Sequence, residues 1–77
     1  MGGDNRTWAK RVGANVRRLR RAKGLTQEDL AGEAGIGMRH LGRIERAEIS
    51  PTVDILAKVA EALGVHPSVL LGDPAGR

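Results

Sequence analysis

From Thr26 to Arg46 the chain reads TQEDLAGEAGIGMRHLGRIER, and this run most constrains the fold because its glycines and capping residues specify two short helices meeting at a sharp corner. Thr26 offers a side-chain acceptor to the first amides of a helix, and Asp29 stands where a capping-box acid reaches back. Gly35 ends that helix, since a glycine just past the last apolar-periodic residue takes the left-handed conformation without penalty, and Ile36 is expected to bury beneath the corner. A second helix begins after Gly37. Ala31 is small where the two helices must cross, and Leu41 and Ile44, three apart, form the buried stripe of the second.

Rotation then fixes the outward face. At 100° per residue and with Leu41 pointing inward, Arg39 lies at about 160°, Arg43 at about 200° and Arg46 at about 140°. These three arginines make one basic stripe opposite the core. A solvated basic face is the plain alternative. The sharper expectation is a helix lying in the major groove of DNA, where arginine pairs bidentately with guanine and neighbouring cations neutralise phosphates.

The same residues carry a resemblance. The run is similar to the helix-turn-helix of the Cro/lambda-repressor-like (XRE) family at Gln27, Ala31, Gly35, Leu41 and Ile44. VGANVRRLRRAKGLTQEDLA from Val12 to Ala31 resembles that family's first two helices, RIER from Arg43 its third-helix ending, and SPTVDILAKVAEALGV from Ser50 its fourth helix. The resemblance implies an all-α fold, a compact five-helix lambda-repressor-like bundle that binds operator DNA as a dimer. It also implies an ion pair between Arg20 and Glu45, joining the first and third helices; two independent surface charges are the alternative. By rotation alone Arg20 lies about 80° from Val12, on the flank of the first helix where a charged head can meet a partner.

Several residues depart from the family pattern. Gly37 stands where Ser or Thr is frequent and weakens the cap of the recognition helix. Gly42 lies inside that helix at a cost of about 1 kcal/mol relative to alanine, at about 100° from Leu41, where a close approach to DNA or to a facing helix is expected. Ala47 replaces a frequent glycine. Met38 offers apolar contact, for instance to a thymine methyl, or partial packing at the helix start. Among the DNA-contacting candidates, Arg39 and Arg43 are assigned to bases, Arg46 completes the stripe, Gln27 contacts phosphate or supports the recognition helix, and Gly37 and His40 lie along the backbone.

The other helices follow from periodicity. Trp8, Val12, Val16 and Leu19 give a first helix over about 5–23 that Gly24 ends. Lys10, Arg11, Arg17, Arg18 and Arg21 occupy its other faces. Thr52 caps a fourth helix after Pro51, with Val53, Leu56, Val59, Ala60 and Leu63 inward and Gly64 closing it. Val65, Leu70 and Leu71 suggest a short fifth helix from Pro67. Ile49, Ile55 and Val69 lack an obvious inward slot and are candidate dimer contacts.

Composition bounds the remaining possibilities. Thirteen Lys and Arg against nine Asp and Glu give a net charge of +4 and a sequence pI of about 10.7, which suits a nucleic-acid partner. The 77 residues suit a single domain over 1–77, with a core over about 5–71 and a frayed tail over 72–77. No cysteine is present, which excludes disulfides and thiolate metal sites, and His40 and His66 do not suggest a metal site. No cofactor or small-molecule ligand is expected. MGGDNR lacks the myristoylation pattern at Arg6, and no segment is apolar enough for a signal peptide or a membrane span, so a cytoplasmic protein is expected. Neither a Ser/His/Asp order, a P-loop nor a paired-carboxylate site points to an enzyme. The expected function is that of a sequence-specific transcriptional regulator binding a palindromic operator as a homodimer, with a restriction–modification controller as one form of it. An antitoxin or a protein-bridging module is the alternative.

Overall fold

A computed structural model describes the backbone of residues 5–74 and the side chains from Thr7 onward. Four α-helices, α1 (Asn5–Ala22), α2 (Gln27–Ala34), α3 (Met38–Glu45) and α4 (Val53–Leu63), are followed by one 3₁₀ helix, Pro67–Leu71. No strand occurs among the described residues. The architecture is therefore all-helical, but the expected five-helix bundle is corrected to four α-helices. Only five residues separate His66 from Gly72, and the segment closes with the tighter bonds Val69 N–H to His66 O at 2.9 Å and Gly72 N–H to Val69 O at 3.2 Å, as short terminal helices often do.

Local chemistry places each boundary. Thr26 and Asp29 form a reciprocal capping box, with Asp29 N–H donating to Thr26 Oγ1 and Thr26 N–H to Asp29 Oδ2, both at 3.0 Å. Thr52 caps α4 by accepting from Ile55 N–H at 3.1 Å. At the corner after α2, Gly35 adopts φ 72° and Ile36 N–H returns to Ala31 O at 3.0 Å, closing the helix with a left-handed cap. The end of α3 repeats that geometry without a glycine. Ala47 is held at φ 60° while Glu48 N–H returns to Arg43 O at 2.9 Å.

The core is built from Val12 and Val16 of α1, Leu30, Ala31 and Ala34 of α2, Leu41 and Ile44 of α3, Val59, Ala60 and Leu63 of α4, and Leu70. α1 packs on α3 and on the 3₁₀ helix, while α2 packs on α3 and α4. The approach of α1 to α3 depends on Gly13: a Cβ there would stand 2.6 Å from Ile44 O and 2.7 Å from Glu45 O. Asn15, buried on α1, donates through Nδ2 to Leu70 O and Gly72 O, both at 2.9 Å. That clamp fastens the C-terminal segment to α1.

Several expectations about burial need correction. Trp8 and Val53 lie on the apolar sides of their helices yet are 55% and 80% exposed. Each lies near the start of its helix, and both line an open apolar groove with Val12, Leu56 and Leu71. Arg11 places its guanidinium carbon 5.0 Å from the centre of the Trp8 ring. Ile49 and Ile55, which had no assigned slot, are half-buried against the core, whereas Val69 is exposed. The segment taken as a frayed tail begins inside the packed region, because Gly72 to Pro74 are half-buried; residues 75–77 lie outside the described residues.

Candidate nucleic-acid interface

The outward face of α3 is set by what its inward face buries. Leu41, Ile44 and Glu45 are buried, and one turn away Met38, Arg39 and Arg43 stand exposed, with Arg46 directly after the helix. Gly37 begins α3 in extended backbone and makes no side-chain capping bond, so the first amides of this helix face outward without an internal acceptor from that residue. Gly37, Arg39, His40 and Arg43 line one shallow depression together with Ile49. Four of the residues assigned from sequence are thereby brought together on one surface.

Gln27 and Gly42 are placed differently. The Gln27 amide turns inward, and its Nε2 donates to Glu45 Oε1 at 3.0 Å. That bond joins the start of α2 to the last residue of α3. Gly42 is buried, and the atoms nearest a Cβ there belong to the Arg46 guanidinium, with Nη1 at 2.9 Å. The Arg46 guanidinium folds back across the glycine.

Glu45 is the anchor beneath the basic face. Its side chain is 0% exposed and that of Arg20 is 11% exposed. Arg20 donates from Nε to Oε2 at 2.7 Å and from Nη2 to Oε1 at 3.0 Å, a bidentate pairing whose rigid fork fixes direction as well as distance. Arg20 Nη1 also donates to Leu25 O at 2.9 Å, and Arg17 Nε stands 3.9 Å from Glu45 Oε1. Burial by itself pushes the Glu45 carboxyl up. The hydrogen bonds from Arg20 and Gln27, with the charges of Arg20 and Arg17, outweigh burial and hold it below its ordinary range. One carboxylate thus ties α1, the α1–α2 turn and α2 to the end of α3.

Sequence reasoning did not single out Glu48, Asn15 or Gly13. Glu48 accepts from Arg46 Nε at 2.7 Å, and its Oε1 lies 3.6 Å from Arg43 Nε. The hydrogen bond from Arg46 keeps the exposed Glu48 carboxyl below its usual range, and the same bond raises Arg46. A signal for two of the three was present. Asn15 is three residues after Val12 and thus on the buried stripe, and a glycine inside a helical pattern commonly marks close packing.

Among the described residues no group of three or more His, Cys, Asp or Glu is placed to hold a metal ion, and no helix is long and apolar enough to cross a membrane. A capped helix, a glycine corner and a second helix with one buried and one basic face constitute a helix-turn-helix unit. A family model described as HTH_3, helix-turn-helix, matches residues 16–70. The chain belongs to the HTH_3 family. It is 48% identical over 56 residues to the uncharacterized HTH-type transcriptional regulator y4dJ of Sinorhizobium fredii, covering 73% of each chain. With the immunity repressor protein of Bacillus phage phi105 it shares 36% identity over 62 residues, which is 80% of this chain but 43% of the repressor. Among solved structures, the restriction-modification controller protein C.AhdI of Aeromonas hydrophila superimposes with a TM-score of 0.78 at 35% identity, over 80% of this chain and 94% of the controller.

Proposed function

We propose that this HTH_3 transcriptional regulator binds double-stranded operator DNA as a homodimer, with α3 of each copy in the major groove. The observation that carries the reading is the division of α3 into a buried Leu41–Ile44–Glu45 side and an exposed Met38–Arg39–Arg43 side. Arg39 and Arg43 read base edges, Met38 contacts a thymine methyl, and Arg46 lies at the rim. Gly37 and His40 run along the phosphate backbone and fix register, while Gln27 holds α3 from behind. Two copies related by a twofold axis present their recognition helices about 34 Å apart, so the operator is palindromic.

Service as the controller of a restriction–modification system is the form supported by the near-complete coverage of C.AhdI and by 37% identity over 60 residues to the control protein C.BamHI of Bacillus amyloliquefaciens. Selection of bound sequences from a random duplex pool tests the reading. Enrichment of an inverted repeat with half-sites one helical turn apart is expected, with loss of preference at one position per half-site in Arg43→Ala. Enrichment of no sequence would overturn it, and sedimentation of the free and DNA-bound chain checks the dimer separately.

A further inference from the structure

The turn after α3 brings an acid back onto the helix's own basic face. Because Ala47 takes left-handed backbone at φ 60° and Glu48 N–H bonds back to Arg43 O, the side chain of Glu48 is delivered beside the last turn of α3. Its carboxylate accepts from Arg46 through Nε at 2.7 Å and Nη2 at 3.5 Å, and lies 3.6 Å from Arg43 Nε. Gly42 keeps open the space over which the Arg46 guanidinium lies. Two of the three arginines on the outward face therefore already hold an anion.

We infer that Glu48 is an internal competitor with DNA phosphate for Arg43 and Arg46, and that it sets a low affinity of this surface for any duplex. The inference rests on the reading of α3 as the DNA-binding helix. All three side chains are about half exposed, and an ion pair at such a site is weak and screened by salt, so phosphate can displace the carboxylate. The displaced charge does not leave: it stays on the chain beside the phosphates and offsets one of the cations brought to them. Fewer counter-ions are then released on binding, which both weakens association and flattens its salt dependence. Specific and non-specific duplexes bear the same cost, since the carboxylate must yield whether the arginine meets a base or a phosphate. Glu48 thus tunes the concentration at which the regulator acts rather than the sequence it reads.

The test compares the parent chain with Glu48→Gln and Glu61→Gln, the last removing an equal charge from an exposed position on α4. Each is titrated into a random-sequence duplex and into the best duplex selected by the parent, over a series of salt concentrations, with circular dichroism confirming the helical fold of each variant. Glu48→Gln should bind both duplexes about three- to tenfold more tightly at low salt, with a slope of log K against log salt steeper by about 0.9, the equivalent of one further phosphate neutralised. Glu61→Gln should move both quantities much less. Equal gains in the two variants would assign the effect to net charge and overturn the competitor role. So would unchanged affinity and slope in Glu48→Gln while the parent binds DNA, leaving the DNA-binding reading intact. If no variant shows salt-sensitive binding to any duplex, both readings fall.

Discussion

Replacing Arg20 by methionine should be the most damaging single change available on the surface of α1. The substitution keeps most of the side chain's apolar stem but removes both donors to Glu45 and the donor to Leu25 O. Glu45 is left fully buried with one amide from Gln27 and with Arg17 at 3.9 Å. Removing one partner of a buried pair costs about 3–5 kcal/mol because the other charge stays desolvated. A chain of this length has a total stability of only about 4–12 kcal/mol at the usual values per residue. Urea denaturation at pH 7 should therefore show Arg20→Met close to the limit of folding. The double variant Arg20→Met, Glu45→Met should recover most of the loss, since no buried charge remains. The pH dependence has a definite sign. In the parent, the Glu45 carboxyl titrates below its ordinary 4.5, so its stabilisation is fully present above that pH and is lost as pH falls through the depressed folded value. In Arg20→Met the guanidinium's hydrogen bonds and charge are gone while burial stays, so the carboxyl should titrate higher than in the parent and acid should cost the variant less. The two stability curves should converge between pH 7 and pH 3. A cost below about 1 kcal/mol, the range of an exposed pair, or a difference that does not change with pH, would refute the account of Glu45 as a buried, oriented anion.

Three further substitutions test the packing that positions α3. Gly13→Ala should lower stability by about 1–3 kcal/mol in thermal unfolding despite alanine's better helix propensity, because the new methyl meets the Ile44 and Glu45 carbonyls, backbone that cannot step aside; a gain in melting temperature would contradict the close helix contact. Asn15→Ala removes two bonds to the carbonyls of Leu70 and Gly72 and should cost about 1–3 kcal/mol. Amide exchange should accelerate over 67–72 ahead of α2, and uniform acceleration would count against a local clamp. Ala47→Gly should stabilise by about 0.5–1 kcal/mol, since alanine at φ 60° bears a left-handed penalty that glycine avoids; urea midpoints decide the sign.

What the sequence disclosed, and what it concealed, separates by the range of the interaction. Thr26 with Asp29, Thr52, Gly35 and Gly64 act within four or five residues, and the caps and corners they specify stand in the structure. The basic stripe followed from rotation about one short helix. Trp8 and Val53 misled because periodicity assigns a direction and not a depth: both fall on the apolar side, but they line an open groove and stay exposed. The Asn15 clamp joins residues 55 and 57 positions apart, and nothing in a linear pattern names its carbonyl partners. Glu48 escaped for a different reason. Its encounter with Arg46 and Arg43 depends on Ala47 taking a conformation usually left to glycine; the glycine frequent there in the family hints at the turn but names no partner for the acid that follows.

The concentration of partners on Glu45 follows from how little else fixes the direction of α3. Its core contribution is Leu41 and Ile44, two aliphatic side chains one turn apart, and apolar burial is non-directional, so contacts of that kind tolerate rotation of an eight-residue helix about its axis. On the proposed reading of α3 its outward face does not, because bidentate pairing to a base edge demands that the guanidinium arrive in plane. The Arg20 fork supplies direction from α1, the Gln27 amide supplies it from α2, and both converge on a carboxylate two residues beyond Arg43. Arg43 points outward from the same turn that Glu45 anchors inward, so an error in the buried contact is transmitted directly to the exposed one. Glu45→Gln, which keeps shape and one acceptor oxygen but gives up the charge-assisted fork, should on that account weaken binding to the selected operator more than to a random duplex in side-by-side titrations. Equal weakening of the two would mean that Glu45 contributes stability without orienting the reading helix.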